Sequence, residues 1–161
     1  MKSLQNFIYA LLSVAIVAII SSYFTRHGIA AWYHNAVPSH FTPPDSVFPI
    51  VWSVLYFLMV LSFYGILQLP DKNQTLDARL IFLSQLLLNI VWCFSFFYAK
   101  QLAAGFCIIL VLDYLVYRTI AAFRKLRPVS AFLLYPYFLW LGYATFLNLI
   151  FIINNGLIID F

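Results

Sequence analysis

The sequence predicts an all-α integral membrane bundle of five transmembrane helices, and three observations lead there. Of the 161 residues, 65% are apolar and 9% charged, where a soluble domain carries about 45–50% and about 25%. The charged set is nine Lys and Arg with five Asp, and Glu is absent, too few to coat a soluble particle of this size. The apolar residues also come in continuous runs, not in the alternating segments of about ten that a membrane barrel uses. A spanning helix takes about 20 residues, so five spans with their connections fill one domain, 1–161.

The runs cover about 5–25, 46–68, 79–98, 102–123 and 130–153. The first follows Lys2 and is apolar from Phe7 to Phe24. That is longer than a signal-peptide core and no small-x-small cleavage site follows it, so it reads as a retained helix. The second run stops at Leu69-Pro70-Asp71-Lys72-Asn73, where Pro and charge break the pattern. Only Lys100-Gln101 divides the third from the fourth, which ends in Arg124-Lys125-Leu126-Arg127-Pro128. Such short connections make antiparallel neighbours. Five spans do not divide into two equal repeats of the transporter kind.

Charge orients the chain. Lys2, Lys72, Arg79, Arg124, Lys125 and Arg127 fall at the end that holds the amino terminus, against Arg26 and Lys100 at the other. The positive-inside rule then puts the amino terminus in the cytoplasm of a bacterial cell and the carboxyl terminus, with Asp160, outside. The net charge of +4 is thus topological. Basic residues confined to short loops form no stripe for nucleic acid.

Residues 26–45 form the one long connection, with Trp32, Tyr33, Phe41 and all three histidines. Its length marks a functional or disordered loop and its aromatics argue for order, so a lid over one mouth of the bundle is expected. His27, His34 and His40, spaced by seven and six, lack the i, i+4 spacing of a helical metal site. As loop histidines they are candidates for titration near neutral pH or for an approach to a ligand from above. Cys93 and Cys107 lie inside apolar runs and read as small core residues. Nucleophile elbows, phosphate-binding loops and dinucleotide fingerprints are missing, which removes the usual hydrolase, kinase and dehydrogenase chemistries.

Helical spacing groups the remaining candidates. Gln85, Asn89, Trp92 and Phe96 share a face of the third run, and Trp52, Tyr56, Met59 and Phe63 share one of the second. Pro136, Trp140, Ala144, Leu147 and Asn148, continuing toward Phe151 and Asn155, share one of the fifth. Three aromatic faces, two of them with a carboxamide, have the composition of a pocket for a large flat ligand. The competing reading has the carboxamides bonding between helices and the tryptophans anchoring in the headgroup belt; both stand at this point. Asp113 is the acidic residue deep within a span, a candidate for pairing with a hydroxyl or amide of a neighbouring helix or for ligand and proton contact. Arg118, about 140° further round, is expected to snorkel toward the basic end.

The strings WYHNAVPSHFTPPDSVFPIVWSVLYFLM from Trp32, QLLLNIVWCFSFF from Gln85 and SAFLLYPYFLWLGYATFLNLIFIINN from Ser130 resemble the tryptophan-rich sensory protein family, also called translocator protein or peripheral-type benzodiazepine receptor. The likeness covers the long loop and the second, third and fifth runs. It departs where Val37 precedes the loop proline in place of a common Lys, where Pro49 and Val60 stand for a common Gly, and where the animal sterol motif is missing from the fifth run. The resemblance implies a five-helix membrane protein, usually a homodimer, that binds porphyrins such as protoporphyrin IX beneath the first loop. Carried over residue by residue, the pocket includes Tyr33, Trp52, Tyr56, Asn89, Trp92, Trp140, Ala144 and Asn148; helical spacing adds Phe96 and Leu147. A bacterial-type receptor, sensor or transporter for porphyrin is the expectation, with no cofactor required and no metal. Two other functions are compatible. One is light- and oxygen-dependent porphyrin degradation by Trp52 and Trp140. The other is a dimeric interaction protein whose helices approach at Ala103, Ala104 and Gly105.

Overall fold

The computed structural model describes residues 2–33, 35–36, 41–70 and 72–158. It contains α1 (Lys2–Gly28), α2 (Val47–Leu67), α3 (Lys72–Cys93), α4 (Leu102–Leu126), the short α5 (Pro128–Phe132) and α6 (Tyr135–Asn155). Among the described residues there is no strand. Five segments are long and apolar enough to cross a membrane: Lys2–Tyr33, Val47–Leu67, Asn73–Tyr98, Leu102–Leu126 and Pro128–Asn155.

Three boundaries depart from the sequence reading, each for a local reason. The first helix does not stop near residue 25, because α1 runs to Gly28 and continues in a π-turn through Ile29–Tyr33. Arg26 and His27 are exposed and leave it unbroken. Gly28 lies so close to a second π-turn, Phe94–Tyr98 at the end of α3, that a Cβ would collide with the Phe97 carbonyl. The Trp32 indole N–H then donates to the same Phe97 carbonyl at 2.7 Å. The long loop is therefore shorter than 26–45, its first eight positions being helical; His34, His40 and the Val37-Pro38 step lie outside the described residues.

The second departure is α3, which starts at Lys72 and not near 79, its polar opening turns burying Thr75 and Ala78. In the third, the fifth run is not one helix but α5 and α6, broken at Leu133–Leu134. Pro136 sits in the first turn of α6, where it has no N–H to give and its ring excludes a continuous helix four residues back. Pro128 opens α5 in the same way. The α3–α4 connection needs only Ala99–Gln101, with Lys100 in the left-handed region at φ 55°.

The helices close into a ring. α1 packs on α2 and α3, α3 on α4, α4 on α6, and α5 bridges α4 to α2. At the basic end this ring is sealed. Phe63, Phe82 and Phe123 stack with centroids 4.3 and 5.7 Å apart, and all three are fully buried. Ser62 donates to the Ser130 carbonyl at 2.7 Å, Arg127 to the Gly65 carbonyl at 3.0 Å, and Asn6 to the Leu67 carbonyl at 2.8 Å. Gly65 lets the helices close here, because a Cβ there would displace the Ser130 hydroxyl. Toward the loop end, α2 and α6 approach through aromatic rings, Trp52 to Tyr137 at 6.1 Å and Phe48 to Trp140 at 6.2 Å.

Candidate functional site

Parts of the three faces grouped by helical spacing lie inside the loop half of the ring, while Phe63 of the second belongs to the sealed stack at the basic end. Rings run in a continuous path from Trp140 to Phe48 (6.2 Å), Tyr33 (6.4 Å), Phe151 (4.9 Å), Phe96 (5.9 Å) and Trp92 (6.1 Å). Tyr33 is buried and stacked on Phe151. Trp52 lies against Tyr56 and Tyr137. Both Trp52 and Trp140 are half-buried and touch other rings. Leu147 and Asn148 are buried and Ala144 is half-buried. Pro136 departs from this face: it is exposed, and the neighbouring Tyr137 takes the inward position.

Polar atoms distinguish this region. Asn89 is buried, and its Oδ1 accepts hydrogen bonds from Ser21 at 3.1 Å and Tyr56 at 3.3 Å. Its Nδ2 has no partner among the described residues, and neither do Trp92 Nε1, Gln85 Nε2 or either amide atom of Asn148. Gln85 is otherwise engaged, its Oε1 accepting from Tyr137 at 3.0 Å. A buried polar atom without a partner costs about 1–3 kcal/mol, and such atoms are few in native structures unless a water or ligand meets them. Asn89 and Gln85 thus make interhelical bonds through their oxygens while their amide nitrogens have no partner among the described residues.

Beside the Asn89 hub a cleft of about 430 Å³ opens between α1 and α2, within the usual range for small-molecule sites. Its walls include Ser21, Ser22, Thr25, Phe48, Trp52 and Tyr56, with Cys93 behind them. The contribution of α1 was missed in the sequence. Ser21 and Thr25, spaced by four at the end of the first run, were the available signal. Phe48 and Phe151 are further rings in the path, and Tyr137 is a further ring beside Trp52.

Several other candidates fall elsewhere. Gly105 faces inward, where a Cβ would come within 3.2 Å of Phe96 Cβ and 3.4 Å of Asn148 Nδ2. It is thus committed to internal packing and does not serve a contact between chains with Ala103 and Ala104. His27 sits on the outer surface against Tyr23 and Tyr98. Asp113 Oδ2 accepts from the Thr145 hydroxyl of α6 at 2.7 Å, the helix-to-helix pairing weighed from sequence. Arg118 does not snorkel toward the basic end: it turns back one helical turn to Tyr114, whose hydroxyl it reaches at 2.8 Å. Helical side chains lean toward the amino-terminal end of their helix, and in α4 that direction leads away from the basic loops.

Comparison with known proteins identifies the family. Residues 9–153 match the TspO/MBR family. The chain is 33% identical over 121 residues to the tryptophan-rich protein TspO of Chlorobaculum tepidum, covering 74% of this chain and 77% of that one. It is 30% identical over 146 residues to the protein of the same name from Archaeoglobus fulgidus, covering 91% and 94%. With the human translocator protein it shares 31% over 119 residues, covering 73% and 70%.

Proposed function

The chain belongs to the TspO/MBR family, a multi-pass membrane protein by its five apolar helices, and from that premise we propose that it is a porphyrin-binding receptor, sensor or transporter. The ligand is a flat tetrapyrrole of the protoporphyrin IX kind, held in the loop half of the bundle. The observation that carries this reading is the set of buried, unpartnered polar atoms on Asn89, Trp92 and Asn148 along an unbroken path of rings. Broad π surface supplies dispersion and stacking. The few fixed donors and acceptors supply orientation, and their unmet hydrogen bonds are satisfied when the ligand arrives.

Binding is tested by quenching of tryptophan fluorescence on titration with protoporphyrin IX, using Trp52→Phe and Trp140→Phe. Each substitution is expected to weaken binding several-fold, and unchanged affinity in both removes the pocket assignment. The charge bias supports an amino terminus in the cytoplasm of a bacterial cell and a carboxyl terminus outside. Reporters fused at residues 1 and 161 test that orientation and must report opposite faces.

A further inference from the structure

Arg26 stands where the charge bias does not call for a cation. With Lys100 it falls at the end of the bundle opposite the six basic residues that orient the chain. Nor does it neutralise a free helix end, because the helical segment continues past Gly28 through the π-turn to Tyr33, about 10 Å beyond Arg26. The side chain is exposed and makes no hydrogen bond or ion pair with another described residue.

Its place on the cleft supplies a use. Arg26 and Ser22, one helical turn apart, line both the cleft between α1 and α2 and a shallow groove on the outer face of α1, so Arg26 marks the threshold between interior and surface. It is the one cation among the described residues of the cleft wall, and Asp45, just ahead of α2, is the one anion. The same wall carries Trp52, Tyr56 and Ser21, and Ser21 donates to Asn89 at 3.1 Å. Ser21 precedes Arg26 by five residues, about 7.5 Å along α1. The cleft is therefore amphipathic along its length, with rings and a carboxamide hub inside and opposite charges on the two sides of its mouth.

A flat molecule with acids on one edge fits such a cleft in one orientation. An ionised carboxylate is costly to carry into an apolar interior, so the acid edge stays at the mouth while the ring enters. At the mouth a guanidinium offers two parallel N–H donors that match a carboxylate, and the Asp45 charge repels the same edge from the α2 side. We propose that Arg26 anchors a carboxylate of the ligand at the mouth of the cleft and makes the site selective for acidic tetrapyrroles over neutral flat molecules. This rests on the ligand reading above and adds the residue that reads charge, which stacked rings do not discriminate.

The test compares protoporphyrin IX with its dimethyl ester, which keeps the ring and removes both charges, using the full-length protein in detergent and tryptophan quenching as the readout. The parent protein should bind the diacid about tenfold more tightly, as one charge-assisted contact implies. Arg26→Gln should erase that preference. Arg26→Lys should keep part of it, since an ammonium retains the charge without the fork, and Asp45→Asn should widen it. Equal weakening of both compounds in Arg26→Gln would make the residue a packing element and overturn the proposal. Equal affinity of the parent protein for the two compounds would overturn the anchor and leave the pocket reading standing. Failure of the parent protein to bind either would overturn the pocket reading and the anchor with it. Loss of co-purifying phosphatidylglycerol in Arg26→Gln, with the diacid preference intact, would assign the cation to a lipid headgroup and overturn the proposal as well.

Discussion

The two halves of the bundle use similar residues for opposite purposes. At the basic end, Phe63, Phe82 and Phe123 stack without a gap and the nearby hydroxyl, amide and guanidinium groups donate to the Ser130, Leu67 and Gly65 carbonyls. At the loop end, rings of the same kind are threaded with carboxamides and an indole N–H that have no partner among the described residues, whereas Arg79 Nε is the unmet atom at the basic end. The first half is built for stability and the second tolerates polar groups at a cost. That contrast is the basis of the proposed binding site, because natural sequences satisfy local rules except at sites with another use.

Removing a satisfied contact and removing an unmet polar group should therefore have opposite signs. The largest effect is expected for Phe82→Ala at the sealed end. Removing a fully buried, doubly stacked ring should destabilise the protein by about 3 kcal/mol through the cavity it leaves. A thermal melt in detergent checks it. Asn148→Leu should do the reverse, raising stability by about 1–2 kcal/mol because two unmet polar atoms are replaced by methyl groups on the same branched skeleton. Tyr56→Phe comes next: loss of its bond to Asn89 is worth about 1 kcal/mol, read in the same melt and accompanied by weaker porphyrin binding. Ser62→Ala should be smallest, about 0.6 kcal/mol for one interhelical hydrogen bond, with binding untouched.

Much of this contrast was visible in the sequence, for a physical reason. Helix faces follow from spacing alone, so Asn89, Trp92 and Phe96, or Leu147 and Asn148, were grouped correctly before any contact was known. Boundaries depended on tertiary contacts that spacing does not report. α1 outlasts Arg26 and His27 because Gly28 and Trp32 dock on the Phe97 carbonyl, a partner 65 residues away. The break at Leu133–Leu134 was legible in Pro136, yet the run looked continuous because hydropathy does not register backbone hydrogen bonds. Small residues were equally ambiguous. Gly105 looked available for a second chain, and only the packing of Phe96 and Asn148 beside it assigns it inward.

Whether the unmet polar atoms exist to hold a ligand is tested most directly by titrating protoporphyrin IX into Asn148→Leu and Ser62→Ala under identical detergent conditions, with tryptophan quenching as the readout. Loss of hydrogen bonds worth about 1.4 kcal/mol corresponds to a tenfold change. Affinity about tenfold weaker in Asn148→Leu, despite its higher melting temperature, and unchanged in Ser62→Ala is the expected result. Equal affinity in both variants and the parent protein would contradict the assignment of the loop half as the binding site.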